Sequence, residues 1–494
     1  MEVSDRQISI ESSTTEIKLV SEEYVPLTMP RILGTFDMTA VYLMIIFFIT
    51  NATTAAGGGA AAFTYLLIGG ITFFLPAVAA TAQLGVLFPN EGALYNWTHK
   101  VLGGYWSFFA AFCAWFPGVL VMVTAGDVIV GYLQGLNSQW LVQPWQQGLV
   151  LIFFLAFSGV IAVQRFRTVQ NIVNVVIMLT FLGVLLIGIA GVVWLVKGNQ
   201  PVTSFHHLSD WMPNPGNYSL FGLVTLAYLG MDTALNMGGE ITETKVIKKH
   251  LLWGTLLVLL GYFVATFSLL VVEGPVNGAI PFALVSLVDI TLGKFAGNIT
   301  AICLMSFFVL AAVVYNYAYA RLLLVAGIDK RLPINMGKLN KHRIPANAII
   351  LQTIVAGVVA AFIFLIFPYV LKLNNPVNLS TEVYNVILAS STLVWALSSL
   401  FLFVNLALIY FRDRSRLLKQ LIFPRPVLWL CIVLGSISCV IAIADSLFFS
   451  WIGLLIDNAH WWYIIGGITF IFLVFAAIGS MLASSEIEWQ KMNE

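Results

Sequence analysis

The chain of 494 residues is 60% hydrophobic and only 10% charged, with 24 Lys+Arg against 23 Asp+Glu. Soluble domains carry roughly 25% charged residues, so this composition argues against a soluble enzyme and reads as a polytopic membrane protein. The net charge of +1, with no basic cluster interleaved with aromatics, gives no sign of a nucleic-acid partner.

Residues 1–28 are polar and mix Asp5, Glu11, Glu16, Glu22 and Glu23 with Arg6 and Lys18. A signal peptide needs a basic start and an apolar core, so this segment reads as a flexible cytoplasmic tail. Twelve apolar stretches follow, each near the roughly 20 residues that a spanning helix needs. They cover 37–57, 62–87, 105–134, 147–163, 169–196, 219–239, 251–272, 298–325, 346–367, 384–410, 426–448 and 462–483. With the N-terminus placed in the cytoplasm, all 24 Lys+Arg except Lys197, Lys294 and Lys372 fall on the inner side. That is the bias of the positive-inside rule, and it puts both termini in the cytoplasm of a multi-pass plasma (cell) membrane protein. Trp140, Trp145, Trp211, Trp451, Trp461 and Trp462 fall near the outer edges, as interfacial anchors should. Cys113, Cys303, Cys431 and Cys439 sit in apolar runs without CxxC spacing and read as small buried hydrophobes. The tail at 484–494 is too short to fold alone.

Two spans are interrupted by polar residues and glycine. The first break is Thr50-Asn51-Ala52-Thr53-Thr54; the second is Tyr228-Leu229-Gly230-Met231-Asp232, followed by Asn236 and Gly238-Gly239-Glu240. Lipid cannot hydrogen-bond an unwound backbone, so such segments survive only where protein or a water-filled cavity satisfies them. Paired interruptions point to the substrate site of a secondary transporter. They fall in the first and sixth spans, and an odd separation of five turns the second block of five upside down. The expected fold is therefore all-α, an inverted 5+5 repeat over 29–197 and 198–410, with two further helices over 411–483.

Four segments carry a family resemblance. Phe88-Pro-Asn-Glu-Gly-Ala-Leu-Tyr95 resembles the FPxxGGxY segment of amino acid–polyamine–organocation permeases. Leu226-Ala-Tyr-Leu-Gly-Met-Asp232 resembles the unwinding of their sixth helix. Ala320–Pro333 resembles their loop after helix eight, and His342–Ala348 the start of their helix nine. The resemblance implies a leucine-transporter-like fold and amino acid transport. The chain lacks the GSG-like break of most members; its Asn51 and Pro76 look more like the glutamate/GABA-antiporter branch.

The resemblance implies that N–H groups of the stretch Thr50, Asn51, Ala52, Thr53 and Thr54 hold a substrate carboxylate. It implies that carbonyls over Leu226, Ala227, Tyr228, Leu229 and Gly230 hold the ammonium. The hydroxyls of Thr53 and Thr54 either add contacts or bond their own preceding turn. By position before Pro333, Tyr315 resembles the tryptophan that the arginine/agmatine antiporter stacks on its substrate, with Asn316 and Tyr319 on adjoining faces. Trp115 and Trp395 are further aromatic candidates. Ionisable residues at membrane depth are functional candidates by default. Asp232 sits beside the second break, and Glu240 is a gate candidate with Arg31, Lys100 or Arg167 as its partner. Asp127 favours a cationic substrate if it faces the pocket.

The leading expectation is an amino acid carrier, an exchanger or proton-coupled, with a polyamine or organic-cation carrier as the alternative. A channel lacks a filter sequence or charged ring, and an enzyme would need clustered His, Asp and Glu at membrane depth. No cofactor is implied. The expected partners are an amino acid or related small amine, the lipid bilayer and, for a proton-coupled carrier, a proton; a monomer and a homodimer both stay open.

Overall fold

The computed structural model describes residues 19–492 apart from 215, 279, 371–375 and 453–455, with backbone alone at 370, 376–384, 486 and 488–492. The flexible tail expected at 1–28 lies outside the described residues up to 18; from Val20 to Thr28 the chain forms a helix, α1. The longer helices that follow are α2 (Thr35–Ile46), α3 (Thr50–Ala56), α4 (Ala61–Leu87), α5 (Ala93–Leu102), α6 (Gly104–Leu136) and α7 (Pro144–Ala162). Next come α8 (Phe166–Val196), α9 (Ser219–Leu226), α10 (Thr244–Val272), α11 (Ala283–Leu292) and α12 (Lys294–Ile328). The last are α13 (Ala346–Tyr369), α14 (Pro376–Arg412), α15 (Arg425–Phe448) and α16 (Asn458–Met492).

Ten helices among the described residues are long and apolar enough to cross a membrane. The pair α2 and α3, bent by 42°, adds an eleventh if counted as one span. The expected sixth span is two short pieces, α9 and a 3-10 helix at Thr233–Glu240, neither of which crosses a bilayer alone. Helices α6 and α12 are apolar on every side and bury most of their surface, which puts them at the centre. Helices α13, α15 and α16 bury far less and expose apolar side chains such as Ile354, Leu430 and Phe470, as a lipid-facing rim does.

Helix α4 holds a π turn at Gly70–Phe74, one turn before Pro76. Proline lacks an N–H and clashes with the carbonyl four residues back; the wider turn absorbs both. Two tryptophans expected at the interface turn inward instead. Trp461 is fully buried, its Nε1 donating to the Ser446 carbonyl at 3.0 Å, and Trp451 lines the central cavities.

Candidate functional site

The break in the first expected span lies three residues earlier than expected. Phe47, with φ −82° and ψ 60°, leaves the helix, and Thr50–Ala56 is regular helix. The threonines stay helical because their hydroxyls bond back: Thr53 Oγ1 donates to the Thr50 carbonyl at 2.7 Å, and Thr54 Oγ1 at 3.3 Å. Two carbonyls freed by the break are satisfied from other helices. Tyr315 Oη on α12 donates to Ile45 at 2.7 Å, and Tyr262 Oη on α10 donates to Ile46 at 2.8 Å. Asn51 Nδ2 donates to the same Tyr262 hydroxyl at 3.2 Å.

The second break falls where expected. Helix α9 ends at Leu226, Gly230 takes φ +98°, and the chain resumes as the 3-10 helix at Thr233. A Cβ at Gly230 would stand 2.9 Å from Ile45 Cγ2 and 2.9 Å from Trp395 Cζ2, so the two breaks and α14 pack directly against one another. Asp232 is buried beyond the break and lines neither cavity.

Both breaks face a central pocket of about 60 Å³, lined by Ile45, Ile46, Phe48, Asn51 and Thr54 from one and by Leu226, Ala227 and Leu229 from the other. Tyr315, Trp395, Trp451, Thr124 and Thr392 are among its other walls, and among the described residues no carboxylate or cation lines it. Trp395 Nε1 is buried with no hydrogen-bond partner among the described residues, a donor held in this wall. Above the pocket, away from α1, a vestibule of about 690 Å³ is bounded by Thr50, Thr53, Asp127, Gln134, Asn217 and Phe282. That volume lies within the usual range for ligand sites, whereas the central pocket has room for only a few waters. Thr54, Leu223 and Trp451 border both spaces.

Several expected site residues point elsewhere. Trp115 Nε1 donates to Gln352 Oε1 on α13 at 3.1 Å, outside the pocket. Asn316 Nδ2 donates to Thr353 Oγ1, also on α13, at 2.8 Å. Tyr228 stacks on Phe74 and donates to the Leu66 carbonyl. Ala52 is buried away from both cavities. Trp115, Asn316 and Tyr228 each found a fixed partner on a neighbouring helix, which residue type alone does not reveal.

Below the pocket, towards α1, the bundle is closed. Tyr319 is buried, shares a 3.2 Å hydrogen bond with Thr233, and packs so closely that a Cβ on Gly118 would meet its ring. Beneath it Glu240 pairs with Arg321 at 2.8 Å, not with Arg31, Lys100 or Arg167. Lys100 is taken by Glu22 of α1 at 2.9 Å and Arg167 by Asp37 at 3.0 Å. Glu91 joins the Arg321 site from the Phe88–Gly92 loop, its Oε2 accepting from the Gly239 N–H at 2.8 Å. Glu91 and Arg321 were not singled out in the sequence, although both lie in segments that carried the family resemblance. Helix α1 straps this face: the Ser21 N–H and Oγ both donate to the Asp329 carboxylate, and Val25 and Met29 pack on Leu324.

A family model described as amino acid permease matches residues 33–471. The chain is 21% identical over 318 residues to an uncharacterized transporter of Legionella pneumophila, 61% of this chain and 67% of that protein. It is 23% identical over 326 residues to the gamma-aminobutyric acid permease of Bacillus subtilis, 62% of this chain and 65% of that one. It is 24% identical over 331 residues to the branched-chain amino acid permease BcaP of Lactococcus lactis, 62% of this chain and 68% of that one. These matches thus span about two thirds of each relative's length. The crystal structure of MhsT in complex with L-phenylalanine superposes with a TM-score of 0.59 at 14% identity, covering 83% of this chain and 98% of that one, and so shares the fold. With its many apolar helices and a family match over most of its length, this multi-pass membrane chain belongs to the amino acid permease family of the amino acid–polyamine–organocation superfamily.

Proposed function

We propose that this chain is a secondary carrier of amino acids with neutral side chains, working by alternating access. The observation that supports this reading most is a central pocket into which both helix breaks open, with no charged group in its lining among the described residues. An ammonium would face the carbonyls near Leu226, Ala227 and Leu229. A carboxylate would face Asn51, Thr54 and the start of α3. Substrate would enter by the vestibule and leave past Tyr319 and the Arg321–Glu240 pair once that end opens. The repeat is read as five spans inverted against five, with two more outside, both termini cytoplasmic and the vestibule open to the exterior of the cell. Transport would run as exchange or with protons.

Counterflow in proteoliposomes tests this directly. Vesicles loaded with a pool of unlabelled neutral amino acids should accelerate uptake of one or a few labelled ones. Absence of counterflow across the pool, from folded protein, would refute the carrier reading.

Asp127 on the vestibule wall favours a second reading, a carrier of polyamines or other organic cations. Asp127→Asn should then abolish uptake of labelled putrescine; if no amine is taken up by the unmodified protein, this reading falls.

A further inference from the structure

Three ionisable side chains meet below the central pocket with one positive charge between two potential negative ones. Glu91, Glu240 and Arg321 are each at most 3% exposed. Arg321 Nε donates to Glu240 Oε1 at 2.8 Å, while Glu91 Oε1 stands 3.9 Å from the same nitrogen, beyond hydrogen-bonding distance. The other Glu91 oxygen accepts from the Gly239 N–H, and among the described residues no donor reaches the buried Oε1. Two buried carboxylates sharing one guanidinium cannot both stay ionised cheaply, and the one without the direct guanidinium bond takes the proton.

We propose that Glu91 is a proton-binding site that fills when the bundle closes at its α1 end. A proton on Glu91 turns it from an acceptor into a donor to the neighbouring Glu240 carboxylate and leaves the closed triad neutral. The neighbouring charges do not compensate Glu91 instead. From α1, Glu22 is engaged with Lys100; from α5, His99 contacts Arg331; from α12, Tyr317 gives Arg321 its carbonyl and ring face. Burial and Glu240, in that order, hold the Glu91 carboxyl well above its ordinary range, against the smaller pull of Arg321.

Opening this end must separate the Phe88–Gly92 loop from the 3-10 helix at Thr233–Glu240 or from α12. Water then reaches Glu91, the O–H bond breaks, the proton passes to the solution on that side, and an anionic carboxylate remains. Closing reverses the step. The inference rests on the carrier reading for its transport consequence, and on geometry alone for the proton.

The test uses the full-length chain. Counterflow of a pooled set of labelled neutral amino acids is measured as the pH on the α1 side is raised from about 5 to about 8. Each pH unit of separation between closed and open Glu91 is worth about tenfold in the equilibrium. The rate should rise by about tenfold or more with pH in the unmodified protein and stay at its low-pH value in Glu91→Gln. Gln keeps the acceptor for Gly239 and imitates the protonated state. In parallel, the thermal midpoint of detergent-purified protein should fall relative to Glu91→Gln as pH rises. Glu240→Gln, which releases Arg321 to pair with Glu91, should abolish the same trend, and it decides the matter if Glu91→Gln does not fold. Identical pH profiles for the unmodified protein and both variants would overturn the proton site. Loss of counterflow in the unmodified protein with the thermal trend intact would overturn the carrier reading alone.

Discussion

The hydroxyl of Tyr315 donates a 2.7 Å hydrogen bond to the carbonyl oxygen of Ile45, tying α12 to the broken end of α2. Tyr262 does the same for Ile46 at 2.8 Å. A carbonyl freed by helix unwinding is an exposed negative dipole that attracts a cation or a donor. Here both dipoles are already met by phenol hydroxyls.

Transport is therefore expected to proceed unchanged when sodium is replaced by choline. Tyr315→Phe leaves the Ile45 carbonyl without its donor, at a cost of about 1–3 kcal/mol. The measurements are uptake in the two salts and thermal unfolding of the variant. A strict sodium requirement, or a Tyr315→Phe protein as stable as the original, would contradict this account.

Gly230 holds the second break in a left-handed conformation against Ile45 and Trp395. Gly230→Ala adds roughly 1–2 kcal/mol of backbone strain, and its Cβ must push one of the two contacts away. Counterflow should be lost while the protein still reaches the membrane. Normal counterflow would show that the close approach of the two breaks is dispensable.

Trp395 carries an indole N–H with no partner among the described residues in the wall of the central pocket, and its ring packs against Tyr315 and Tyr319. Trp395→Phe keeps an aromatic ring and removes the donor. If the N–H bonds the substrate, KM should rise by about tenfold, the worth of one ordinary hydrogen bond, with kcat little changed. An unchanged KM would assign the indole to packing alone.

Asp329 anchors α1 by accepting from Ser21, and burial pushes its carboxyl up to about 6. A raised carboxyl binds more protons folded than unfolded, so its contribution to stability is fully present at low pH and is lost as pH rises through that value. Asp329→Asn, which still accepts from Ser21, should gain thermal stability relative to the unmodified protein between about pH 4 and 7. A constant difference across that range would show that Asp329 does not titrate there.

Most of this architecture was legible because the signals are local. A run of some twenty apolar residues declares its own burial in lipid, and Gly230 with Asp232, Asn236 and Gly238-Gly239 in one short stretch marks an interrupted span. The first break was misplaced by three residues because the polar segment Thr50–Thr54 satisfies itself by bonding back to its own turn. The apolar Phe47 looked helical and is not. Likewise Trp115 and Asn316 have the chemistry of a binding site and spend it on α13.

By itself, then, the sequence determined a membrane-embedded helical chain with two interrupted spans and the segments that mark its family. These follow from properties each stretch carries alone: hydropathy, charge bias and the absence of a Cβ. Only the tertiary structure decided where the first helix opens, that Arg321 and not Lys100 meets Glu240, and that Glu91 is buried beside them. The groups that settle those points lie far apart in the chain, Tyr315 from Ile45 and Arg321 from Glu91. A carbonyl or a carboxylate takes whichever donor packing brings within about 3 Å, and packing is a property of the whole bundle.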